Sequence, residues 1–221
     1  KTHDLGWQTA HPLNPLPDTT HFFLEAGIEN LGASFLAKLL RAAGPTFGFF
    51  YHGDQSAAEV GTVPYPVPIS ATIHALSAVV KGGASNTVGL DAGDHTIYGD
   101  ALKSVFSEVK KLQPYVGGES VKHLALHVSQ QTRDFRYHDN PDGFWTLLRG
   151  SHEMLKRSHI LTEVVFDQQL TYEKLSPYKV LFLSNSACLS DRQVDEIRRF
   201  ISEGGGLIAT HETSLCDELG Q

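Results

Sequence analysis

The chain has 221 residues, with 18 Lys+Arg against 25 Asp+Glu, a formal charge of −7 and 41% hydrophobic side chains. That is enough to bury one substantial core or two small ones. The acidic balance argues against tracking a nucleic-acid backbone, which needs clustered cations, and no apolar stretch approaches the roughly 20 residues of a membrane span. From Thr20 the pattern alternates short apolar runs with longer helical ones. Thr20 to Glu25 reads as a buried strand, and Leu31 to Ala43 as a helix whose face carries Leu31, Phe35, Leu39 and Leu40. Gly44-Pro45 stops that helix, as a C-terminal glycine followed by proline should. Thr46 to Tyr51 reads as a second strand, ending in His52-Gly53-Asp54. A helix is expected over 69–81 and a third strand over Asn86 to Leu90. Asp91, Asp94 and His95 follow that strand, and another helix is expected over Tyr98 to Leu112.

A boundary falls near Gly117-Gly118, dividing the chain into 1–117 and 118–221, and the rhythm restarts beyond it. Strands are expected over Val121–Val128, Ile160–Phe166, Lys179–Leu183 and Leu207–Thr210. Helices are expected over Phe144–Arg157 and Ser190–Ser202, with Ser190-Asp191, Gln193 and Asp195 as the N-cap region of the second. Residues 130–143 read as a long polar loop holding Arg133, and Tyr172 to Leu175 as a short turn. Gly204-Gly205-Gly206 precedes a strand, so it reads as a close-packing turn and not a phosphate loop. Alternating strands and helices imply right-handed crossovers and parallel sheets, with polar residues gathered at strand C-terminal ends. Each half carries three or four strands, too few for a barrel, and the chain begins at Lys1 without an initiator Met or apolar leader. Both halves are therefore expected to be incomplete.

The segment from Lys179 to Gln221, KVLFLSNSACLSDRQVDEIRRFISEGGGLIATHETSLCDELGQ, resembles the trimerisation-type domain that follows the barrel in family 42 glycoside hydrolases and related glycosidases. Such domains are similar in fold to class I glutamine amidotransferases. Upstream, DQQLTYEKLSPYKVL is similar to the family's approach to the same strand. ISATIHALSAVVKGGASNTV resembles a late barrel helix and strand, so residues 20–116 resemble the last three β/α units of a (β/α)₈ barrel. The resemblance implies an α/β chain: the C-terminal part of a (β/α)₈ barrel, then a flavodoxin-like parallel-sheet domain. One departure stands out, since the family's seventh strand leads to a catalytic Glu and here that strand ends in YHGDQ.

By this resemblance the chain is a glycoside hydrolase fragment, β-galactosidase-like, cleaving a glycosidic bond with two carboxyl groups. Its substrate is a carbohydrate, it needs no cofactor, it touches neither nucleic acid nor membrane, and it forms a homo-oligomer. Strand-end Glu25, Asp54 and Asp91 are the catalytic candidates, with Glu59 behind them. His52, Asp94, His95 and Arg133 are the substrate-binding candidates, and Trp7 and Tyr51 are aromatic faces able to stack on sugar. Solvated acids in βα loops would look the same in sequence. The alternative is a non-catalytic carbohydrate-binding or assembly protein on the same fold. Twelve histidines invite a metal, but His123 and His127 lie on one strand, too far apart along it to share an ion. Cys188 follows a strand where an amidotransferase keeps its nucleophile, yet it lacks the glycine-flanked elbow and reads as a small buried thiol.

Overall fold

A computed structural model describes residues 22–26, 30–43, 47–51, 89–90, 111 and 120–221. The chain divides into two compact units, Lys1–Glu119 and Ser120–Gln221.

In the first unit, β1 (Phe22–Ala26), β2 (Phe47–Tyr51) and β3 (Gly89–Leu90) form a parallel sheet in the order β1-β2-β3. Phe22 lies opposite Phe47, and Phe50 opposite Gly89. Between β1 and β2 runs α1 (Asn30–Ala43), which buries Phe35, Leu39 and Ala43, one residue per turn along a single face. Parallel strands that neighbour one another in sequence order, with a helix between β1 and β2, match the repeat of a barrel wall. The helix expected over 69–81 lies outside the described residues, as does that over 98–112 apart from helical Lys111.

The second unit runs β4 (Leu124–Val128), α2 (Gln130–Arg136), α3 (Pro141–Arg157), β5 (Thr162–Phe166), a 3-10 turn (Asp167–Gln169) and α4 (Tyr172–Leu175). It continues with β6 (Val180–Ser184), α5 (Asp191–Ser202) and β7 (Gly206–Thr210). All four strands are parallel, in the order β5-β4-β6-β7. That order is flavodoxin-like: the chain moves outward to β5, then returns to the other side of β4. One face of the sheet offers Ala125, Val165, Leu181 and Leu183, packed with Leu170, Leu175 and Tyr178 and with Ile197 and Phe200 of α5. Side chains alternate along a strand, so Leu126, Val164 and Phe182, paired across the strands, serve the opposite face. There α3 lies against β5 and β6 and buries Phe144, Leu148 and Leu155. The fold class is α/β, barrel-type strands followed by a flavodoxin-like parallel sheet.

Two local expectations need correction. Residues 130–143 are mostly helical, not a long loop: α2 forms because the Ser129 hydroxyl accepts the Thr132 N–H at 3.1 Å. The next helix begins earlier than Phe144, at Pro141, where Asn140 caps the helix by accepting the Gly143 N–H and the proline needs no donor. Ser190 caps α5 as expected, and Gln193 reciprocates by accepting the Ser190 N–H at 2.8 Å. The glycine turn that follows is a close-packing one. Gly204 sits at φ 97, and a Cβ on Gly205 would fall 2.4 Å from the Phe200 ring.

Among the strands whose burial is described, β7 is the exposed one. Leu207 and Ile208 of β7 are 42% and 44% exposed, and among the described residues β7 pairs only with β6. Among the described residues no helix is long and apolar enough to cross a membrane.

Candidate functional site

In an open parallel sheet the crevice lies at the C-terminal ends of the strands, where the chain order reverses. Here that point falls between β4 and β6, and the strand ends supply a buried polar chain. His127, in β4, is 0% exposed. Its Nε2 lies 3.2 Å from Oδ1 of Asp167, just past β5, and its Nδ1 lies 2.8 Å from Oγ of Ser186, just past β6. An ionised carboxylate can only accept, so Nε2 carries a proton and donates to Asp167, while Nδ1 and the Ser186 hydroxyl share the second hydrogen bond.

Asp167 is engaged further. Its Oδ2 accepts the backbone N–H of Gln130 at 2.6 Å and of Gln131 at 3.2 Å. Burial by itself would raise the Asp167 carboxyl. The His127 imidazole, by hydrogen bond and by charge, outweighs burial together with the Gln131 N–H and the Ser129 hydroxyl, and holds the group below the ordinary carboxylate value. The Asp167 carbonyl also accepts from the side-chain amide of Gln193 at 3.1 Å, tying β5 to α5.

The order serine, histidine, carboxylate is that of a hydrolytic relay. Burial decides against that use. Ser186 is 1% exposed and His127 is sealed, so no substrate carbonyl can approach the hydroxyl. The network joins three strand ends and the start of α2, and it acts as a clasp.

Above it lies a more open rim. Asn185 ends β6 at φ 52, in the left-handed region that asparagine tolerates. Its side chain donates to the Tyr137 hydroxyl at 2.7 Å and accepts the Glu212 N–H at 3.1 Å. Arg136 reaches Glu212 at 3.4 Å, both partly exposed. The Glu212 hydrogen bond, then its charge and that of Cys216, raise the Arg136 guanidinium further above its already high value. The sharp residue after β6 is thus an asparagine. Cys188 is fully buried, its N–H donates to Thr132 Oγ1 at 3.0 Å, and burial pushes its thiol up to about 11. Activated thiols are shifted the other way.

No protein-family model matches this chain, and no curated protein does. Solved structures match over nearly its whole length. The fold is glycoside hydrolase-like. A catalytic mutant of Gan42B, a GH42 beta-galactosidase from G. stearothermophilus, superposes with a TM-score of 0.67 at 14% identity, over 100% of this chain and 37% of that one. A beta-galactosidase from a Rahnella species gives 0.65 at 14% identity, over 91% and 34%. Alpha-L-fucosidase isoenzyme 2 from Paenibacillus thiaminolyticus gives 0.62 at 19% identity, over 95% and 32%. At these identities the likeness is one of fold. The chain spans about a third of the length of these proteins.

Of the residues expected to carry chemistry, Glu25 lies in β1 opposite Phe50. His52, Asp54, Glu59, Asp91, Asp94 and His95 lie outside the described residues, as does Trp7. Tyr51 ends β2 opposite Leu90. Arg133 sits on α2, nine-tenths buried, with its guanidinium 2.6 and 2.8 Å from Oδ1 of Asp134. The clasp of His127, Asp167 and Ser186 went unforeseen. Its signal was present, since each residue is polar and stands at or just beyond the end of an apolar strand.

Proposed function

We propose that the chain is part of a glycoside hydrolase, β-galactosidase-like in its chemistry, that cleaves a glycosidic bond between two carboxyl groups. The reading is carried by the superposition that spans both units, barrel-type strands and flavodoxin-like sheet together, at a TM-score of 0.67. In this reading Glu25, Asp54 and Asp91 are the candidate carboxyl groups at consecutive strand ends. One of them would be the ionised group that attacks the sugar or activates water, while the acid/base of a family 42-type enzyme, which follows the fourth barrel strand, has no counterpart among residues 1–221. His52, Asp94 and His95 would hold sugar hydroxyls. The second unit takes the part of a trimerisation-type, amidotransferase-like domain. Cys188, buried and with its thiol pushed up to about 11, argues against amidotransferase chemistry there.

The test is turnover and binding by the chain itself. Hydrolysis of nitrophenyl β-galactoside or α-L-fucoside should be measurable, and Glu25→Gln, Asp54→Asn or Asp91→Asn should lower kcat by at least about 100-fold with sugar binding kept. Sugar binding without turnover would favour the second reading, a non-catalytic carbohydrate-binding or assembly protein. The exposed Leu207 and Ile208 favour assembly specifically. Absence of both turnover and sugar binding would count against the carbohydrate reading.

A further inference from the structure

We propose that Cys188 and Cys216, the chain's two cysteines, are a redox pair that a low-molecular-weight disulfide of the glutathione class converts reversibly to an intramolecular disulfide. The backbone places them. Cys188 and Cys216 form a parallel β-bridge, in which the Cys216 N–H donates to the Ala187 carbonyl at 3.0 Å and the Leu189 N–H donates to the Cys216 carbonyl at 3.1 Å. Residues opposite one another in a parallel pair lie about 4.8 Å apart and project to the same face. Disulfides span Cα separations of roughly 4.4–6.8 Å. The two thiols also act on one another electrostatically, and Arg136 acts on both.

Their unequal exposure sets the order of events. Cys216 is partly exposed and Cys188 is buried. The Cys216 thiolate attacks one sulfur of the oxidant, whose S–S bond breaks, and the leaving thiolate takes up a proton. Cys188 then gives up its proton and displaces the second small thiol from the mixed disulfide. Two protein thiols lose two hydrogens, and the oxidant gains them as two thiols. The second step is the slow one, because burial holds Cys188 protonated.

The bond would act on the rim described above. Residues 210–216 run beside 183–189, with the Ser186 N–H donating to Thr213 Oγ1 at 3.2 Å and the Ser214 N–H to the Ser186 carbonyl at 2.9 Å. His211 and Ser214 on this segment hold left-handed conformations, at φ 56 and 62. Hydrogen bonds and the Arg136–Glu212 ion pair hold the segment when the thiols are reduced. The disulfide makes that attachment covalent.

The full chain, equilibrated in glutathione buffers of stepped ratio and acid-quenched, should be alkylated with a maleimide polymer and its intact mass measured. Oxidising buffer should remove both reactive thiols from a monomer, with a mass lower by two hydrogens, after a transient glutathione adduct. Dithiothreitol should restore both thiols, and amide exchange over 213–216 should be slower in the oxidised form. Cys188→Ala should stop at the glutathione adduct on Cys216. The proposal is overturned if both thiols stay alkylatable in a chain of unchanged circular dichroism. It is equally overturned if the products are intermolecular dimers or lasting adducts, or if closure requires urea.

Discussion

The Asp167 carboxylate ties β4 to the start of α2, holding the His127 ring and accepting the Gln130 and Gln131 N–H groups. Replacing it by alanine strands the buried His127 N–H and uncovers the first donors of α2, so Asp167→Ala should destabilise the second unit by about 3–5 kcal/mol. Urea unfolding measures this, and a loss under about 1 kcal/mol would mean that water replaces the carboxylate. Its lowered pKa gives the sign of the acid dependence. The native carboxyl titrates below the ordinary value near 3.9, so its contribution is intact above that value and is lost as pH falls through the native pKa. Stability should therefore drop on acidification from about pH 4 downward, and Asp167→Asn should flatten the curve there. A second residue invites the opposite change. His159 ends α3 at φ 57, where its N–H meets the Lys156 carbonyl and the Ile160 N–H meets the Leu155 carbonyl. Glycine suits that position best, so His159→Gly should raise stability by about 0.5–1 kcal/mol, read as a higher thermal midpoint. Much of this detail was illegible in sequence. His127 could be placed on a strand, but its partners sit just past the ends of two other strands, and alternation says which face a residue takes without saying which strand lies beside it.

The elements themselves were legible wherever an apolar stripe or a cap repeated at the right spacing. Phe35, Leu39 and Ala43 announce α1, and Ser190 with Gln193 announces α5. α2 was missed because Gln130 to Arg136 carries no apolar stripe. Its stability comes from the Ser129 cap and from Asp167 across the sheet, a contact no local window contains. α4 is only four residues long, and it is held from outside: Glu196 accepts the Tyr172 N–H at 2.6 Å and Arg199 lies 4.3 Å over the Tyr172 ring. The glycine turn after α5 gives the sharpest test at this scale. Gly205→Ala drives a methyl into Phe200 and should destabilise by about 1–3 kcal/mol, as overpacking does. Phe200→Leu in the same chain should recover part of that loss in urea melts. An unchanged midpoint for Gly205→Ala alone would show that the ring moves freely.

Across the whole molecule the readable feature was the alternation of strand and helix, which sets parallel sheets. Strand order was not readable, because β1-β2-β3 and β5-β4-β6-β7 use the same local grammar. We propose that the units meet at Gly117-Gly118. Brief protease exposure should cut there before it cuts inside 120–221, as linkers are nicked before packed elements. First cuts within β4 to β7 would place the weak point elsewhere. The order β5-β4-β6-β7 also bears on how such a chain is made. Synthesis runs from N- to C-terminus, and here the two middle strands, β4 and β6, emerge before the last edge strand. The buried cluster beneath α4 and α5 is complete once Phe200 has left the ribosome. β7 therefore arrives at a finished platform: it extends the sheet without founding it, and the nascent chain can commit to its topology before the exposed Leu207 and Ile208 are made.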